Sequence, residues 1–196
     1  MTDGACIAAG VVAFLLFAIY DINSVKQKCK WIKSAFFIGA LLLATATGIL
    51  MVRNWERGGI GGVGQWVALV LAAVFFILLI YTLFFAIPFS ETYIKKDGDP
   101  QVCAEGMYAL CRHPGVLWFV GLYICLAAAV PEPSVILAGV IFCVCNLLYV
   151  IVQDVWTFPN CFADYRSYKK KVPFLIPTGK SMSECIRTLK RERKHV

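Results

Sequence analysis

The sequence predicts an all-α, polytopic membrane protein with about five spans, and three observations predict it. Hydrophobic residues make up 60% of the 196 and charged residues only 16%, with a mean hydropathy of +0.73. A soluble domain carries roughly 45–50% apolar and about 25% charged residues. Apolar runs recur at lengths near the ~20 residues that cross a hydrocarbon core. Basic residues collect in alternate gaps between those runs. Disorder and a single small soluble core are excluded. The nine cysteines have no repeated spacing and several lie inside apolar runs, which argues against a secreted disulfide scaffold.

The predicted spans are 5–20, 34–52, 66–89, 116–130 and 135–152, in one membrane domain with an interfacial, basic tail over 154–196. The first is short and bounded by Asp3 and Asp21. It lacks the basic n-region and the small-residue cleavage site of a signal peptide, so it reads as a retained helix. The third is the clearest, with 24 residues and no charge. The run 58–64 holds five glycines in seven residues and reads as a flexible turn.

Charge sets the expected orientation. The first loop carries Lys26, Lys28, Lys30 and Lys33, and the tail carries ten Lys or Arg between Arg166 and Lys194. The loop Pro131-Glu132-Pro133 has none. Basic residues concentrate on the cytoplasmic side, so the N-terminus is expected outside. The first loop, the 90–113 loop and the tail are expected inside. Five spans satisfy that alternation. The tail suits either topology alone or attraction to anionic headgroups at about 1 kcal/mol per basic residue.

Polar chemistry must therefore come from the 90–113 loop and the tail. Arg112 and His113 stand immediately before the fourth span, and Pro114 suits a first helical turn because its missing N–H would be unpaired there. Such a helix start beside a cation suits an anionic group, or it is plain interfacial anchoring. Gln153-Asp154 closes the fifth span, and aromatic and basic residues alternate beyond it. An acid there is either a solvated terminus or a cation's partner. Cys143 and Cys145 point to different helix faces, and with His113 and His195 the only histidines no metal site is expected. A phosphate-binding glycine loop and a nucleophile elbow are absent from the sequence. Nucleic acid is not an expected partner.

The run Gly106-x-Tyr108-x-x-x-Arg112-His113-Pro114, followed by Tyr165-x-x-Tyr168-x-x-x-Val172-Pro173, resembles the isoprenylcysteine carboxyl methyltransferase family, in particular its short prokaryotic members. The resemblance covers about residues 90–178. It places Gln153-Asp154 where that family has two glutamates, Val116 where it has a tyrosine, and Cys161-Phe162 where it has Phe-Gly. It implies a methyltransferase using S-adenosylmethionine, with its site formed by the third loop, the last two spans and the tail on the cytoplasmic face. Gln101, Val102 and Cys103 would line the adenosine side and Tyr108 would pack on it. His113, Pro114, Gly115 and Val116 would surround the amino-acid and ribose portion, and Gln153 and Asp154 would complete the cofactor site. Arg112, His113 and Asp154 are the expected catalytic residues. The expected partners are the lipid bilayer and a lipophilic or lipidated acceptor, a prenylcysteine-like carboxylate being the family's namesake. A non-catalytic scaffold of the same fold and an NADPH-dependent sterol- or enone-type reductase are the competing readings. The small size favours a bacterial inner membrane, with the endoplasmic reticulum as the eukaryotic counterpart.

Overall fold

Where no water is available, a chain must satisfy its backbone polar groups internally, so long apolar runs become helices. The computed structural model describes residues 2–26, 31–57, 62–86 and 101–192, among which the regular elements are helical and no strand occurs. The long elements are α1 (Asp3–Lys26), α2 (Ala35–Asn54), α3 (Val63–Phe84), α5 (Pro114–Ala129) and α6 (Pro133–Val152). Between and after them lie four more: α4 (Met107–Leu110), α7 (Phe158–Cys161), α8 (Tyr165–Lys171) and α9 (Gly179–Glu192). Among the described residues four helices are long and apolar enough to cross a membrane, α6 running on to Cys161; α5 is apolar but shorter. The protein is a multi-pass, all-α membrane protein.

Each expected span corresponds to one of these helices, and the ends differ for physical reasons. Pro114 and Pro133 occupy the first helical turns of α5 and α6, where a proline has no N–H to waste. Asp21 was expected to bound the first span. It lies inside α1 instead and is buried at 5% exposure. The third span closes at Phe84. The residues 87–100, with the polar third loop, and most of the glycine-rich run 58–64 lie outside the described residues.

α1 packs along α2, α3 packs along α5, and α6 joins the two pairs by touching α1 and α5. Helices in lipid gain little from the hydrophobic effect and instead approach closely through small residues. A Cβ at Gly10 of α1 would collide with the Phe142 ring of α6, and one at Gly121 of α5 would lie 2.6 Å from Phe75 of α3. Phe14, Phe17, Leu50, Phe119, Tyr123 and Phe142 fill the centre. Leu15, Leu41, Val70, Ile77 and Val140 stand exposed on the outside, as a lipid-facing surface requires.

Polar side chains gather at the two ends of the bundle. At one end Arg53 Nε lies 3.0 Å from Asp3 Oδ1, and Ser134 Oγ donates to Asn54 Oδ1 at 3.2 Å. That ties together the start of α1, the end of α2 and the start of α6. At the other end Trp118 Nε1 donates to Thr82 Oγ1 at 3.0 Å, near the close of α3, and α4 and α7–α9 gather there too. The helices thus alternate in direction. Epitopes inserted at Lys26 and Lys180 should be reached from one face of sealed vesicles, and an epitope at Gly62 from the opposite face. Labelling of Gly62 and Lys180 from the same face would remove the five-helix alternation.

Candidate functional site

The segment before α5 is shaped by one glycine and one short backbone pairing. Gly106 has φ 56° and ψ −130°, a conformation that disfavours any residue with a Cβ. Its N–H donates to Thr188 Oγ1 of α9 at 2.9 Å. After α4 the chain extends, and Arg112 N–H and His113 N–H donate to the carbonyls of Pro173 and Phe174 at 2.9 and 3.3 Å. Val102 N–H donates to Asp164 Oδ1 at 3.0 Å, and Tyr168 Oη to the Tyr108 carbonyl at 2.7 Å. The tail after α7 is therefore laced onto the loop before α5.

α6 ends in a π-helical turn, Gln153–Thr157. Such a turn inserts an extra residue and redirects the side chains that follow, and it is frequent at functional sites. It carries Asp154 inward, at 5% exposure. Arg112 approaches as a two-pronged fork, with Nε 2.7 Å from Oδ1 and Nη2 3.3 Å from Oδ2. Tyr165 Oη donates to Oδ1 at 2.7 Å, and Lys169 Nζ lies 2.7 Å from Oδ2. The remaining prong of Arg112, Nη1, donates to the carbonyls of Val172 and Lys169 at 2.7 and 3.2 Å. Fork geometry adds direction as well as strength. Arg112, expected either to take an anionic group or to anchor the helix at the interface, lies within this network with its side chain 9% exposed and Asp154 as its anion.

His113 is buried beside the pair. Its Nε2 lies 3.5 Å from Asp154 Oδ1, too long for a good hydrogen bond, and has no other partner. Its ring is stacked with Phe158 at 5.8 Å and meets Phe174 edge-on at 5.2 Å. Burial lowers its pKa to about 4, against the pull of the Asp154 carboxylate, so the imidazole is neutral at neutral pH. Thr157 Oγ1, in the same π turn, is also buried without a partner. Burial pushes the Cys111 thiol up to about 11 and raises Tyr165 and Tyr168 above the ordinary phenol range, so these groups stay protonated.

The structure brings Arg112, His113 and Asp154 into one cluster, with Val102 and Tyr108 at its edge. It does not bring Gln153 there. Consecutive helical residues point in different directions, and Gln153 Nε2 donates to Tyr149 Oη at 2.8 Å, on the side of Asp21. Tyr108 Oη donates to the Thr82 carbonyl at 3.1 Å. Pro114 and Val116 are buried, and Gly115 faces Leu79 and Leu83 of α3. Gln101 is exposed and Cys103 half-buried. Sequence reasoning missed Lys169, Thr157, Phe158 and Phe174 as parts of the site. The alternation of aromatic and basic residues after Asp154 was the one available signal for them. Among the described residues no group of three or more His, Cys, Asp or Glu could hold a metal ion.

No family model matches the chain, and neither a curated protein nor a solved structure matches it.

Removing one member of a buried ion pair leaves the other charge uncompensated, at about 3–5 kcal/mol. Asp154→Ala should therefore lower the unfolding free energy in detergent by about that much. Tyr165→Phe, which removes one hydrogen bond to a charge, should cost about 2 kcal/mol. Equal effects of the two variants in denaturant titrations would contradict the central place of the carboxylate.

His113 adds a pH signature. An unfolded histidine titrates near pH 6.5 and the folded one near 4, so the unfolded state binds the extra proton between those values. Its contribution is fully present above pH 6.5 and is lost as pH falls toward 4. Wild type should lose more stability than His113→Phe across that window, measured by thermal unfolding at stepped pH. Parallel curves would mean that the imidazole is not held neutral.

Proposed function

We propose that this protein is a membrane-embedded methyltransferase that uses S-adenosylmethionine and acts on a lipophilic acceptor, with its site at the Arg112–Asp154 end of the bundle. One observation carries the reading. The two motifs on which the family resemblance rests, Arg112-His113-Pro114 and Tyr165–Pro173, lie far apart in the chain yet meet around Asp154 through the fork, the phenol and the paired backbone.

The residues fit a bound donor molecule at His113 and Thr157. Their side-chain atoms Nε2 and Oγ1 are buried with no partner, and buried polar groups are ordinarily hydrogen-bonded. S-adenosylmethionine supplies an electrophilic methyl group on a sulfonium. Within this chain, Phe158 stacks on the His113 ring and Phe174 lies under the Arg112 guanidinium, 5.5 Å from the ring centroid, so the rings hold these two side chains in place. His113 and Thr157 supply hydrogen bonds that orient a ligand. Arg112 and Asp154 are largely committed to each other, so they position the segment rather than hold the ligand's charges. Burial of the cluster excludes water. Methyl transfer is mainly a matter of alignment in a dry site, and a carboxylate acceptor requires no base, in keeping with an imidazole held neutral. The prenylcysteine-like acceptor and the cytoplasmic placement of this end belong to the same proposal, the latter supported by the basic tail.

The experiment is titration of S-adenosylmethionine and of NADPH into the purified full chain. Saturable binding of S-adenosylmethionine alone is expected. His113→Phe keeps a ring between Phe158 and Phe174 and removes Nε2, and should weaken that binding at least about tenfold, the loss of roughly 1.4 kcal/mol. Binding of NADPH instead would favour the reductase. Binding of neither would leave the Arg112–Asp154 network as a structural staple in a scaffold.

A further inference from the structure

A second buried acid lies near the same end of the bundle, and the cluster above does not use it. Asp21 is 5% exposed inside α1. Tyr149 of α6 and Gln153 of the π turn lie beside it, and Gln153 Nε2 donates to Tyr149 Oη at 2.8 Å. Asp21 Oδ2 is buried and has no partner. Among the described residues no Lys or Arg forms an ion pair with Asp21. Asp154, by contrast, has both Arg112 and Lys169.

The surroundings are aromatic. Phe17 lies one helical turn before Asp21 on the same face, with ring centroids 5.8 Å from Tyr149 and 5.3 Å from Phe36. Tyr20 lies 5.6 Å from Phe36. Immediately beside these groups, Ile22 of α1 and Val152 and Val155 of α6 and its π turn are exposed on the outside of the bundle, where a multi-pass protein meets acyl chains. An intramembrane acid is expensive, faces the protein interior and takes a partner. A carboxylate with one open oxygen and neighbouring π faces is the chemistry that recognises an ammonium group.

We propose that Asp21, with Tyr149 and Gln153 orienting it, is a binding site for the protonated amine of a bilayer-borne amphiphile. The head seats on Asp21 Oδ2, and the hydrocarbon body lies along the Ile22 and Val152 surface. Tyr149 and Gln153, bonded to each other beside the carboxylate, are positioning residues. The site does not depend on the methyl-transfer reading.

The test uses radiolabelled oleylamine and the full chain in a neutral maltoside detergent. Saturable binding is expected, displaced by unlabelled oleylamine but not by oleyl alcohol or oleate. Asp21→Asn keeps the size of the side chain and removes its charge, and should weaken binding at least about tenfold. Displacement by oleyl alcohol as effective as that by the amine would overturn the proposal without recourse to any variant. So would an Asp21→Asn variant that binds as wild type does, or wild type that shows no saturable binding. S-adenosylmethionine titrated into the same preparations gives the separate outcome for the other site.

Discussion

A carboxylate taken out of water needs a cation and hydrogen-bond donors around it, and the end of the bundle that carries α7 to α9 is organised by that requirement at Asp154. Arg112 supplies a fork from the segment before α5, Tyr165 and Lys169 supply a phenol and an ammonium from α8, and Arg112 reaches on to the carbonyls of Lys169 and Val172. One acid thereby binds three stretches of chain that the apolar helices would not hold together. The backbone pairing of residues 112–113 with 173–174 follows from it, because the fork fixes the register at which the strands of chain meet. His113 is buried as a consequence: with Arg112 drawn to Asp154, the next residue is pressed between Phe158 and Phe174.

The bundle itself was legible from composition and run length. A hydrocarbon core leaves a chain few options, so an uncharged run such as 66–89 specifies a helix almost regardless of detail. Helix ends were less legible. Asp21 looked like a boundary because a charge ordinarily stops a span, but Tyr149 and Gln153, far along the chain, give it polar neighbours inside the protein. No local signal in the first thirty residues reports those partners. The same holds for Gln153 and Asp154. As neighbours in sequence they read as one unit, and the turn of the helix sends one toward Asp21 and the other toward Arg112.

The site was legible in part because the spacing of a motif reports backbone demands. Gly106 sits at a positive φ that a side chain would strain, and Pro114 sits where an N–H would be wasted. Those two residues frame Arg112-His113 between a turn and a helix start. The roles of the residues between them were not legible. Arg112, read as a cation suited to an anionic group or to anchoring at the interface, finds an anion within its own chain, and the lone groups left over in the cluster are His113 Nε2 and Thr157 Oγ1. A sequence gives the residue types in a cluster but not which pairs satisfy each other or which groups are left over.

That distinction separates the two buried acids. Asp154 and Asp21 have the same exposure, 5% each, yet among the described residues one has cationic partners and the other has none. A matched carboxylate is a fastener, because removing either partner exposes the other to the full cost of burial. One without a cation among the described residues leaves the cost of burial unmet within them. Gln153 and Asp154, adjacent in the π turn, each serve one of these acids or are one of them, so the turn is the physical link between them. A shift of its backbone would move Gln153 relative to Asp21 and Asp154 relative to Arg112 at once. The end of α6 is therefore the element at which the packing around the two acids meets.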